Sequence, residues 1–333
     1  MFGLPNVGPR TFLSTNEPAL LPDLPPLTPV HRSVLLREVV SWLAPGPDSI
    51  VVDGTVGAGG HASALARLLG PDGRLIGLDR DPEMLALAAG ATEGLPVTLL
   101  NFSYTELGRV LDDLEIDGVD GIVLDLGLSS DQLAWSHRGF SFAEDGPLDM
   151  RFDPRTRESA ADLVNDLDEK ELADLIFEYG EERHSRKIAK RIVEARRVEP
   201  IVTTARLAEV VRKGVPGKWG PIDPATRTFQ ALRIAVNSEL ELLDEFLELL
   251  VDYLNPGGKV AIISFHSLED RRVKHAFRDN PDLTVLTRKP VLASAEELAQ
   301  NPRARSAKLR VAQRCPDQNG PTTNPATGTA RDR

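Results

Sequence analysis

The chain holds one cysteine in 333 residues, Cys315. That excludes an intramolecular disulfide framework and any metal site built from several thiolates, and it suits a reducing compartment. No apolar run approaches the roughly 20 residues that a membrane-spanning helix needs. The N-terminus also lacks a basic segment followed by an apolar one, so no membrane association is expected and the chain reads as cytoplasmic. Basic charge is in deficit: 39 Lys and Arg against 50 Asp and Glu give a net charge of −11. A wholly basic nucleic-acid coat is thereby excluded, but a local basic patch is not. His61, His184 and His266 form no metal-ligand spacing, and no metal is expected.

What is present is ordinary for a globular protein, with 41% hydrophobic and 27% charged residues. The length exceeds one usual domain, so either two domains or one large domain with an insertion is expected. Met1 to Pro29 carries seven prolines and no helical or strand period. It reads as a disordered extension, as does the Pro, Thr and Gly tail over 316–333.

The stretch from Ser49 to His61 organises the rest. A β-branched run, Ile50-Val51-Val52, ends in Asp53 and opens into Gly54, Gly57, Gly59 and Gly60, with a helix predicted over Ala62 to Leu69. A glycine loop joining a buried strand to a helix N-terminus presents free backbone N–H groups, as nucleotide-type cofactors require. Gly57-x-Gly59-x-x-Ala62 also satisfies the loose dinucleotide fingerprint, so an NAD-dependent oxidoreductase is the first rival reading. Asp53 favours S-adenosylmethionine, because a carboxylate at the loop entrance repels a pyrophosphate but suits an ammonium and a sulfonium.

Further strands are predicted over Arg74 to Leu78, Val97 to Leu100 and Gly121 to Gly127, separated by helices over Pro82 to Ala89 and Tyr104 to Leu114. This alternation predicts a parallel, doubly wound α/β sheet, with Asp53, Asp79, Phe102 and Asp125 at the ligand-binding carboxyl ends of its strands. An acid at position 79 can accept hydrogen bonds from ribose hydroxyls. From Gln132 to Ala225 no strand alternation appears, so 132–225 is predicted as a helical insertion. The sheet pattern resumes with one long helix carrying Leu232, Val236, Leu240, Leu243, Leu247, Leu250 and Leu254, followed by strands over Lys259 to Ser264, Leu283 to Leu286 and Leu309 to Ala312.

Taken together, several unusual blocks resemble the bacterial 16S ribosomal RNA cytosine-N4 methyltransferases. They are Asp53 to His61, Asp79-Arg80-Asp81-Pro82, Asp125-Leu126-Gly127-Leu128-Ser129-Ser130, Arg138-Gly139-Phe140-Ser141-Phe142, Gly146 to Arg151, Ala225 to Arg233, Val236 to Leu240, Ser264 to Arg271 and Asn301 to Ser306. The likeness runs from about His31 to Arg314. Two departures are Asp131, where a proline is common, and Ala134-Trp135, where acids are common. The resemblance implies a seven-stranded, Rossmann-like methyltransferase domain over 30–131 and 226–315, interrupted by the helical insertion. It implies S-adenosylmethionine as donor and N4-methylation of a decoding-centre cytosine, with 16S rRNA in the assembled small subunit as partner and a homodimer left open. It places the donor against Gly59, Gly60, His61, Asp79, Phe102, Asp125 and Gln132.

An exocyclic cytosine amine is a poor nucleophile, since its lone pair is delocalised into the ring. Acceptors held at its two N–H bonds would pyramidalise the nitrogen and aim that pair at the methyl group. Asp125 is the first candidate, for the donor, for the amine or for both; Asp149 is the second. A basic surface is expected on the helix carrying Arg183, Arg186, Lys187, Lys190 and Arg191, and a second on the run with Arg303, Arg305, Lys308, Arg310 and Arg314; both suit phosphate binding. Trp135, Phe140 and Trp219 are candidates to stack on a flipped base. A ribosome-assembly factor that keeps the donor fold without catalysis is the second rival.

Overall fold

The computed structural model describes residues 33–316 except 216, 218, 221 and 222. The two extensions predicted as disordered therefore lie outside the described residues, apart from Pro316. Residues Ile50–Asp53, Arg74–Leu78, Val97–Leu100, Val119–Asp125, Leu254–Ser264, Leu283–Val285 and Lys308–Arg314 (β1 to β7) form one sheet in the order β3-β2-β1-β4-β5-β7-β6. The order reverses between β1 and β4, which run parallel, and that switch point opens a crevice at their carboxyl ends. β7 departs from the all-parallel expectation, pairing antiparallel with both β5 and β6. The segment from β6 to β7 holds only the short helix Ala295–Gln300 and a 3-10 turn.

Helices α1 to α4, at Leu36–Leu43, Gly60–Ala66, Pro82–Ala91 and Leu107–Asp113, alternate with the first four strands. α3 starts where its sequence directs: Asp81 caps the Glu83 N–H at 3.0 Å and Pro82 holds the first helical position. One face of the sheet buries Ile76, Leu124, Phe246 and Phe277, the other Leu35, Leu65, Val123 and Leu309.

Beyond β4 come α5 (Ser130–Ala134), α6 (Ala160–Asp166), α7 (Glu169–Gly180), α8 (Ser185–Arg196) and α9 (Thr204–Gly214), with no strand among the described residues of this stretch. Leu148, Ile176, Ile188, Ile192 and Leu207 form a separate core there. The long helix predicted next is two helices, α10 (Ala225–Asn237) and α11 (Glu239–Tyr253), broken at Ser238 with φ 49°. Phe229, Leu232 and Val236 of α10 pack into the insertion's core, while Leu243, Leu247 and Leu250 of α11 pack under the sheet. The helical body thus continues past residue 225. α12 (Ser267–Asp279) follows β5.

Candidate active site

At the switch point a cavity with an empty volume of about 930 Å³, counted to its open mouth, is lined by Gly54, Gly57, Gly60, His61, Asp79, Asp125 and Gln132 among others. Each wall has a local cause. β1 delivers Asp53 fully into the interior at 1% exposure. Gly57 takes φ 50°, and its N–H donates to Asp79 Oδ2 at 2.8 Å, tying the loop to the end of β2. Gly59, at φ 86°, serves packing instead: a Cβ there would stand 3.0 Å from the Ala88 Cα of α3. Asp125 ends β4, and its N–H donates to Thr55 Oγ1 at 2.6 Å, which fixes the carboxylate's root.

The acids are electrostatically unusual. Burial pushes Asp53 up to about 7, with Asp79 acting in the same direction, and burial pushes Asp79 itself up to about 6. Asp125 rises to about 8 through burial first and the neighbouring Asp53 second. Asp53 Oδ2 and Asp125 Oδ1 are buried without a hydrogen-bond partner among the described residues. Asp125 lines the cavity, whereas Asp53 lies buried at the end of β1 and is not part of its wall. An orphaned acid oxygen at the wall matches a cationic ligand, whose charge repays its desolvation, and repels a pyrophosphate.

Acids that keep their protons to higher pH when folded make the fold bind more protons than the unfolded chain between about pH 4 and 8. Their contribution to stability therefore falls as pH rises through that window. A bound cation offsets the loss by favouring the ionised acids. Donor-induced stabilisation should accordingly grow with pH, with affinity rising about tenfold or more from pH 5.5 to 7.5. Thermal midpoints with and without S-adenosylmethionine check this; equal shifts at both pH values would separate the acids from the donor.

The structure sorts the remaining candidates. Gln132 sits on α5 and donates Nε2–H to Asp81 Oδ2 at 2.8 Å, lining the cavity from the insertion side. His61 contacts Val34 O at 3.0 Å through Nε2 and stands 3.7 Å from Asp125 through Nδ1. Phe102 does not line the cavity; its ring packs against the sheet core beneath the Arg109 guanidinium. Asp149 reaches neither this cavity nor the next one, because Arg151 holds both its oxygens, at 2.9 and 2.6 Å. Burial would raise the Asp149 carboxyl, but those bonds outweigh it and hold it below the usual range. In this structure Asp149 clamps the turn to Arg151.

A second cavity, with an empty volume of about 1240 Å³, adjoins the first and shares Asp125, Gly127 and Leu128 with it. Phe140, Phe142, Phe229 and Phe265 give it aromatic walls drawn from both the insertion and the sheet domain. Arg303 lines it too and donates to Ser130 Oγ at 2.6 Å, so it is a cavity residue rather than part of an outer basic run. The rest of that run is also engaged: Lys308 and Arg310 pair with Asp270, and Arg314 donates to main-chain carbonyls. Only Arg305 of the five is exposed. The α8 face differs, since Arg183 just before the helix and Arg186, Lys187, Lys190 and Arg191 on it are all exposed while Ile188, Ala189, Ile192 and Val193 face inward. Of the stacking candidates, Phe140 is in the second cavity, Trp135 stacks on His137 at 5.9 Å, and Trp219 is exposed. Missed by sequence reasoning were the roles of Thr55 and Arg138, which bond segments distant in sequence, and of Glu269, which caps the turn from β5 into α12.

A glycine loop with orphaned acids at the carboxyl ends of a 3-2-1-4-5-7-6 sheet defines an S-adenosylmethionine-dependent methyltransferase. The chain belongs to the MraW methylase family, whose sequence profile matches residues 28–315. It is similar to the ribosomal RNA small subunit methyltransferase H of Trichlorobacter lovleyi, at 48% identity over 306 residues, covering 85% of this chain and 98% of that protein. The proteins of the same name from Syntrophotalea carbinolica and Geobacter sulfurreducens are each 49% identical over 306 residues, with the same coverage.

Proposed function

We propose that this enzyme transfers a methyl group from S-adenosylmethionine to N4 of a decoding-centre cytosine in 16S rRNA, within the assembled small ribosomal subunit in the cytoplasm. The observation that carries this reading is the meeting of two cavities at Asp125, one glycine-lined and acidic, the other aromatic. Asp125 would face the donor's cationic end with Asp53 buried behind the loop, Asp79 would face its ribose hydroxyls, and Gly57, Gly60, His61 and Gln132 would close around it. Bound there, the donor supplies an electrophilic methyl group on a sulfonium. The protein's share is to exclude water and to hold the amine with acceptors at its N–H bonds, so that its lone pair turns out of the ring. Asp125 Oδ1 is one such acceptor. The names of the curated relatives support the ribosomal RNA substrate.

The exposed cations of α8 would grip phosphates around the target. Arg183, Arg186 and Lys187 have no acidic partner among the described residues, whereas Lys190 and Arg191 share Glu194. Incubating labelled donor with small subunits from cells lacking the protein should yield N4-methylcytidine, identified by mass spectrometry. Replacing Arg183, Arg186 and Lys187 with Gln should weaken subunit binding and lower its log–log salt slope by about two to three, near one for each lost phosphate contact. An unchanged slope would move the RNA surface off α8, and a different methylated nucleoside would overturn the cytosine assignment.

A further inference from the structure

The site as described leaves His266 without a task. It ends the β5 connection into α12, lines the aromatic cavity, and its side chain is 10% exposed. Both ring nitrogens are buried without a hydrogen-bond partner among the described residues. Nε2 lies 3.1 Å from Glu269 Oε1, at ion-pair distance. Glu269 is firmly placed: its Oε2 accepts the N–H of Phe265 at 2.8 Å and of His266 at 3.3 Å. Burial alone would raise its carboxyl; His266, Arg233 and the Phe265 N–H outweigh that and hold it below the usual range, as an anion. Glu269 lines the donor cavity, His266 the aromatic one, and Asp125 both. A buried imidazole at the wall of the aromatic cavity, with Nε2 against a fixed carboxylate, is poised for proton transfer rather than for packing.

We propose that the aromatic cavity seats the flipped target base with its exocyclic amine between Asp125 and His266, and that His266 accepts the proton this amine releases. The inference rests on the cytosine-amine reading above. A planar pyrimidine stacks on the phenylalanine walls, and the two N–H bonds of its amine then meet two acceptors rather than one. The N4 lone pair forms the new N–CH3 bond as the S–CH3 bond breaks and leaves its electron pair on sulfur. The methylated amine is then positively charged, and one N–H proton passes to the neutral imidazole. N4-methylcytosine and an imidazolium beside Glu269 result, and solvent takes the imidazolium's proton before the next turnover. Glu269 is a positioning residue in this scheme. The other charged groups that bear on the ring are Glu181, itself tied to Ser267 and Arg271, together with Asp125, Arg233 and Arg303 around the two cavities.

The test follows single-turnover transfer at saturating donor and small subunit from about pH 5.5 to 9, for wild type, His266→Gln and Glu269→Gln, with the product nucleoside identified by mass spectrometry. Wild type should yield N4-methylcytidine at a rate rising with pH to a plateau. His266→Gln should lower that plateau by about 100-fold and abolish the imidazole's limb of the profile, while donor affinity by calorimetry stays within about threefold. Glu269→Gln should move the midpoint toward lower pH, because losing the neighbouring anion weakens the ring's hold on its proton. NMR titration of the His266 ring in the donor-free protein should show the same shift without turnover. A His266→Gln plateau within about threefold of wild type, or an unmoved NMR midpoint in Glu269→Gln, overturns the assignment. If circular dichroism finds His266→Gln unfolded, His266→Asn and the NMR titration decide. Methylation of a base other than cytosine by wild type would instead overturn the reading on which the assignment rests.

Discussion

Asp125→Asn is expected to slow single-turnover methyl transfer by about 100-fold with donor and small subunit both saturating, the scale of removing one preorganised electrostatic contact. The substitution keeps the side chain's size and leaves the backbone N–H bond to Thr55 intact, so the fold should tolerate it. What it changes is the charge and the identity of the atoms facing the two cavities. Asp125 Oδ1 has no partner among the described residues, and the side chain borders both the glycine-lined cavity and the aromatic one. Asparagine offers a weaker acceptor there and can turn an NH2 group toward an amine that is itself a donor. A residue that served only to hold the donor would lose affinity, and saturation would restore the rate. Near wild-type single-turnover transfer at saturation would therefore confine Asp125 to donor binding and leave the amine to His266 or to backbone carbonyls.

The parts of this molecule that were legible in sequence are those in which a local pattern fixes a local shape. A β-branched run ending in Asp53 and opening into glycines can hardly be anything but a strand, a tight loop and a helix start, and three further strand ends followed the same grammar at Asp79, Phe102 and Asp125. The loss of alternation between Gln132 and Ala225 matches a stretch with helices and no strand among its described residues. What could not be read are choices made between distant segments. The apolar spacing from Leu232 to Leu254 is continuous, yet Ser238 turns left-handed so that its two halves bury against different cores. Strand period is the same in either direction, so the reversed course of β7 left no trace. Arg303 sits in a basic run whose members, apart from the exposed Arg305, are turned inward or paired once β7 lies between β5 and β6. Asp149, the second candidate acceptor, is held through both oxygens by Arg151 two residues on, a local pairing that the motif did not show.

Arg138 was quoted only as part of a motif, yet Arg138→Met is expected to cost about 3–5 kcal/mol of stability, the range for breaking one side of a buried ion pair. Its side chain is 10% exposed and reaches Asp81 Oδ2 at 2.9 Å and Glu83 Oε2 at 3.3 Å, both at the start of α3. The same guanidinium donates to the carbonyl oxygens of Arg151 at 2.9 Å and Phe152 at 3.1 Å, inside the insertion. One side chain thus joins the insertion to the helix that follows Asp79. Asp81 is fully buried, caps α3 and also accepts from Gln132, so removing Arg138 strips the cation from a carboxylate with no access to water. The donor cavity should loosen as well, because Gln132 and Asp79 flank that carboxylate. Arg138→Lys keeps the charge but loses the planar fork that serves four acceptors, and should fall between, at about 1.5–3 kcal/mol. Urea unfolding of both variants gives the stabilities. A cycle with Asp81→Asn should show the double variant costing less than the two single losses added, since the second change removes a charge already unpaired. Stability of Arg138→Met within about 1 kcal/mol of wild type would mean that the two bodies are held by their apolar contact alone and that this ion pair is dispensable.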